Sequence, residues 1–181
     1  MLRKTGVLFV LLVPLMLFGQ DTAQIFQKTM DRIGEINKLI SKDEVDLHIS
    51  LDRDKRSSEG ITESENTVKY YHALNDYLKI MATSGGQKKD EQIMELYFTP
   101  EKDLFAGAIE QKEFSRHVYV FDKDNPLMYA SQEWDPHNAR FGKLQLKPMN
   151  SGAEKEADML LKQAIKYYNA ASAFADDLAP E

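Results

Sequence analysis

The fifteen residues V68-KYYHALNDYLKIMA-82 admit two incompatible folds. As a helix, Val68, Tyr71, Leu74, Leu78 and Met81 form one apolar stripe. As a hairpin reversing at Asn75-Asp76, the same stretch puts Val68, Tyr70, His72 and Leu74 on one face. The next 49 residues of the chain, 83–131, decide between them. In I93-MELYFTPEKDLFAGAI-109 two extended runs flank Thr99-Pro100-Glu101-Lys102. A proline inside a helix costs about 3 kcal/mol, whereas Pro100 suits the second position of a tight turn. H117-VYVFDKDNPLMYAS-131 repeats the plan around a break at Asp122–Pro126. A leucine comes after each break, at Leu78, Leu104 and Leu127, spaced 26 and 23 residues apart. Hairpins account for all three segments. A helix accounts only for the first, where Thr62-Glu63-Ser64-Glu65 resembles a capping box. Asn75 and Asp76 both tolerate the positive φ of a two-residue turn.

The flanking segments supply the rest. Ile25, Phe26, Met30, Ile33, Ile36 and Leu39 recur at three and four residues, predicting a helix over 22–39 with Asp21 as its cap. V45-DLHISL-51 alternates as a strand, Val45, Leu47, Ile49 and Leu51 inward and Asp46, His48 and Ser50 outward. Residues 52–66 read as a mobile loop, and Gly85–Asp90 and Gln111–Ser115 as linkers between hairpins. Residues 134–150 read as a covering loop in which Leu144 and Leu146 alternate as a short strand would. Ser151 and Glu154 match a capping box. Ala157, Leu160, Leu161, Ala164, Ile165, Tyr168, Ala171 and Phe174 then run at helical spacing, ahead of a fraying acidic tail at 175–181.

The expected fold is therefore α+β: an antiparallel β-meander of six or seven strands, with an N-terminal and a C-terminal helix packed on the sheet. Its pre-turn aromatics are Tyr70-Tyr71, Leu96-Tyr97-Phe98 and Val118-Tyr119-Val120-Phe121. With these pieces the chain resembles a group of small exported proteins of Gram-negative bacteria, whose hairpins take the form YYF-x-N-G-x-L. The resemblance implies a fold and an exported location. It implies no activity.

Arg3 and Lys4 precede the apolar centre Val7–Phe18, which is 12 residues long. A bilayer span needs about 20, so residues 1–20 read as an export signal, with 21–181 as a single mature domain. Cysteine is absent, which excludes disulfides and a lipidated-cysteine anchor. The expected location is periplasmic or secreted, with no membrane span after signal removal. Without Arg3 and Lys4 the chain keeps 21 of its 23 cations against 29 anions, a net charge of −8. That sign disfavours nucleic acid and anionic lipid as partners.

No motif prescribes chemistry. His48, His72, His117 and His137 lack the spacing of metal ligands, although His72 and His117 could neighbour one another across the sheet. Asp122–Glu133 echoes a calcium loop, but Pro126 and Leu127 stand where a ligand and a glycine are needed. No Gly-x-Ser-x-Gly elbow or glycine-rich phosphate loop occurs, and no cofactor is implied. What stands out is apolarity on both faces of the meander. If the two helices cover one face, aromatics remain on the other. Tyr97, Tyr119, Tyr129 and Trp134 are the expected centre of a surface for a protein, a small ligand or a further copy of the chain. The expected role is non-enzymatic binding or scaffolding. The competing expectations are a small hydrolase using Glu133, Asp135 and His137 in the 133–150 segment, or a structural oligomer of the envelope.

Overall fold

The computed structural model describes residues 7–53, 65–73, 76–84, 91–123 and 125–177. Helix α1 (Val7–Ser41) leads into β1 (Asp46–Arg53), β2 (Glu65–Ala73), β3 (Asp76–Ser84) and β4 (Gln92–Phe98). Next come β5 (Leu104–Gln111), β6 (Ser115–Asp122), β7 (Asn125–Asp135), β8 (Arg140–Phe141), β9 (Gln145–Lys147) and helix α2 (Ser151–Asp177). The strands lie side by side in chain order from β1 to β8, all antiparallel, and β9 returns to β7. This is the expected α+β meander, with nine strands among the described residues instead of six or seven. The additions come from the segment expected to be a covering loop. Trp134 extends β7 and pairs with Phe141, while Gln145–Lys147 pairs with Tyr129–Ser131.

The turns follow the local chemistry. Lys102 N–H donates to the Thr99 carbonyl at 2.9 Å, closing the turn that Pro100 presets. The β6–β7 ladder closes on Asp122↔Asn125, so Asn125 and Pro126 belong to the strand. Pro126 sits at a register shift, where a missing N–H is tolerated. In the first hairpin the ladder closes on Ala73↔Asp76. Asp76, expected in the turn, opens β3, while Asn75 lies outside the described residues, as do 54–64 and 85–90. Residues 52–53 and 65–66, expected in the loop, instead lengthen β1 and β2. Asn150, not Ser151, caps α2: its Oδ1 accepts from Gly152 N and Ala153 N, both at 3.0 Å. Asp21 lies within α1 and does not cap it.

The helices pack on opposite faces, which corrects the expectation that both share one. Side chains alternate along β4, so Leu96 and Phe98 join a core with Ala153, Ala157, Leu160 and Ala164 of α2. Tyr97, between them, joins Ile33 and Ile36 of α1 with Ala106, Ala108 and Val118. α2 crosses the strands diagonally. Its Glu156 meets β6, Leu160 sits over Gly107 of β5, and Tyr168 packs on Phe98 of β4 with ring centroids 5.4 Å apart. A Cβ on Gly107 would stand 3.1 Å from Leu160 Cδ1, so this position sets how closely α2 approaches.

At the edge, β1 reverses its expected polarity. Leu47 and Ile49 are each 50% exposed, while His48 lies on the side of buried Tyr70, ring centroids 6.1 Å apart. The α1 core lies over β4–β6 and does not reach β1. His72 on β2 and His117 on β6 are separated by three intervening strands and are not neighbours.

Beneath α1 lies a buried ionic network. Lys79 donates to Glu95 and, at 2.9 Å, to Asn37 Oδ1 of α1. Arg116 Nη2 donates to Glu95 Oε2 at 2.8 Å. The Tyr97 hydroxyl donates to Glu95 Oε2 at 3.2 Å and accepts from Asn37 Nδ2 at 3.3 Å. Burial alone would push the Glu95 carboxyl up, but Lys79, Arg116 and the hydrogen bonds together hold it below its ordinary value of 4.5. Burial, then the Glu95 charge, pushes the Tyr97 phenol well above the usual range.

A depressed carboxylate stabilises the fold at neutral pH and loses that contribution as pH falls below 4.5 through its folded value. Glu95→Gln leaves buried Lys79 without its counter-charge and Arg116 with the longer contact to Glu110, 3.9 Å from its Nε. We expect a loss of about 3 kcal/mol or more at neutral pH, with a weaker acid dependence than the parent, read by urea denaturation across pH.

Candidate functional site

The strand register lays out the α2 face of the sheet as a grid. One row runs Gln92, Gln111, Ser115, Glu133 across β4 to β7; the next runs Met94, Ile109, His117, Ser131; the third runs Leu96, Gly107, Tyr119, Tyr129. Polarity therefore changes over two steps, from a polar rim to a buried aromatic floor. α2 roofs the second and third rows with Glu156, leaving a cavity of about 300 Å3 open over the first. Two other cavities along α2 have volumes of about 150 Å3 beside Tyr168 and about 100 Å3 beside Tyr167.

A three-residue lock holds the inner wall. His117 Nδ1 lies 2.8 Å from Glu156 Oε2, and the Tyr119 hydroxyl donates to the same oxygen. Glu156 Oε1 has no hydrogen-bond partner among the described residues. A carboxylate oxygen can only accept, so His117 Nδ1 supplies the hydrogen of this contact. Tyr129 stacks on Tyr119 at 5.5 Å with planes 15° apart, and its edge meets the His117 ring at 6.1 Å. Burial, then the hydrogen bond and charge of Glu156, pushes the Tyr119 phenol far above its ordinary value of 10.0. Tyr119 thus stays a neutral donor to Glu156. Phe114, 62% exposed, closes the outer rim.

The four aromatics expected to form one surface are dispersed. Tyr97 and Tyr119 are both fully buried, beneath α1 and α2 respectively, because the helices cover both faces. Only Tyr119 and Tyr129 come together. Trp134 is half-buried against Phe141, ring centroids 5.2 Å apart, away from the cavity lining. Of the trio expected for hydrolysis, Glu133 lines the cavity, whereas His137 is exposed in the turn that joins β7 to β8. Asp135 is spent on that turn: Oδ2 accepts from Asn138 Nδ2 at 2.6 Å, and Oδ1 from His137 N at 3.0 Å. These bonds, the Asn138 side chain first, hold its carboxyl below the usual range.

Sequence reasoning misses Glu156, Ser115, Gln92 and Gln111, and weighs His117 only as a metal ligand. One signal is present: Ser115, His117 and Tyr119 alternate and so share a face. Nothing local ties them to Glu156, 39 residues beyond His117. Among the described residues no three His, Asp or Glu side chains are placed to share a metal ion, and no helix is long and apolar enough to cross a membrane. No protein-family model, curated protein or solved structure matches the chain.

Tyr119→Phe removes a hydrogen bond to a charged acceptor, for which we expect a loss of about 1.5–3 kcal/mol at neutral pH. A raised phenol favours folding below its ordinary value of 10.0, and that contribution is lost as pH climbs through the higher folded value. The variant should therefore destabilise less than the parent above pH 10, measured by chemical denaturation.

Proposed function

We propose that the chain is an exported, non-enzymatic binding protein of the bacterial envelope, and that its contact site is the open cavity between α2 and the polar rim of the sheet. Support for export is the cationic start and the short apolar centre Val7–Phe18. The observation that carries the binding reading is the polar row itself. Gln92, Gln111, Ser115 and Glu133 stand side by side against a rigid wall, where the same face two rows on is buried. Their side chains make no hydrogen bond to the protein among the described residues. Convergent polar groups at the mouth of a preformed cavity suit a small organic ligand. This reading replaces the aromatic surface, since Tyr97 and Tyr119 offer no accessible area.

The test is a ligand panel of small amines, carboxylates and polyols, read by amide chemical-shift perturbation. At least one probe class should move the resonances of Gln111, Ser115, His117 and Glu133 together. Shifts confined to other surfaces, or none at all, would overturn the assignment of this cavity.

A further inference from the structure

We infer that the group this cavity takes is an organic cation, an alkylammonium or alkylguanidinium. The inference rests on the binding reading above and adds the ligand's chemistry. Its basis is charge. Glu133 and Glu156 both line the cavity, and neither Lys nor Arg does. Glu156 turns one carboxylate oxygen to Tyr119 and His117 and leaves the other without a hydrogen-bond partner among the described residues. Glu133 has no ion pair among them either. The nearby Lys112 turns its Nζ to Glu91 Oε2 at 2.7 Å, outside the lining.

The neutral lining fits the same ligand. Gln92, Gln111 and Ser115 each carry an oxygen that can accept from an ammonium or guanidinium N–H. Phe114 exposes its ring at the rim, where it can cover an alkyl stem or meet a cation face-on. A bare metal ion fits poorly, since no group of three ligating side chains is assembled among the described residues. An anion would face both carboxylates, and the basic side chain of the lining, His117, already turns its Nδ1 to Glu156 at 2.8 Å. The lock on Glu156 gives the site rigidity: a carboxylate fixed by Tyr119 and His117 loses little freedom when a cation arrives.

Calorimetric titration of the purified chain with agmatine and putrescine, against glutarate and glycerol, tests this, with chemical shifts locating each probe. The cations should bind saturably at Ser115, His117 and Glu133. Glu133→Gln should weaken them about tenfold or more, as loss of a charged hydrogen-bond partner implies. Glu154→Gln, at an exposed carboxylate on the first turn of α2, should leave affinity unchanged. Binding of glutarate or glycerol at those residues, with no binding of the amines, would overturn the cationic ligand and leave the cavity assignment standing. Amines that bind elsewhere, or that are indifferent to Glu133→Gln, would overturn the inference. If no probe moves the cavity residues, both readings fail.

Discussion

The fold depends on a sheet whose central strands are apolar on both sides. Leu96-Tyr97-Phe98 and Val118–Phe121 send neighbouring side chains to opposite faces, so one covering layer would leave half of them in water. Two helices at the two ends of the chain solve this by taking one face each. The solution requires small residues between strand and helix. Ala106 and Ala108 lie under α1, and Gly107 between them lies under Leu160 of α2. A single strand thus carries the close approach of both layers.

The two layers are fastened differently. α2 meets the sheet through an alanine stripe, Ala153, Ala157 and Ala164, with Leu160 as the large contact. Such packing is permissive about its ends and leaves room for a cavity where the helix begins. α1 brings Ile33 and Ile36 but also Asn37, which reaches the Lys79–Glu95–Arg116 cluster, and Arg32, whose guanidinium lies 4.7 Å from the Phe105 ring centroid. A buried charge cluster adds little net stability compared with apolar packing. Its geometry accepts one placement of α1 well, since only Asn37 both accepts from Lys79 and donates to Tyr97.

The meander is legible in the sequence because its signals are local. Pro100 marks one reversal, and alternation marks strand type in every hairpin. The side on which each helix lies is not legible, since both faces of Leu96–Phe98 are apolar and an amphipathic helix fits either. Edge polarity fails for a related reason. Leu47 and Ile49 alternate as inward residues should, yet inward has no meaning where the covering helix does not reach. The candidate site is hidden more deeply. Glu156 reads as one of many helical acids until the diagonal crossing of α2 carries it over His117 and Tyr119. Asp135 and His137 show the opposite error, a catalytic-looking pair that serves a turn.

The position of the cavity is set by the same geometry. A helix crossing the strands diagonally cannot cover a rectangular face, so a corner of the sheet must lie beyond its first turn. Along part of β7 the margin is closed by chain, where β9 pairs with Tyr129–Ser131. At this corner the sequence changes instead, from Tyr119 and Tyr129 through His117 and Ser131 to Ser115 and Glu133. A corner left merely uncovered would be adequately served by any polar residues facing solvent. Here the innermost of them, His117, is oriented by a carboxylate that is itself held by a buried phenol. That contact fixes the one side chain of the row behind the rim, His117, which exposure would otherwise leave free to turn.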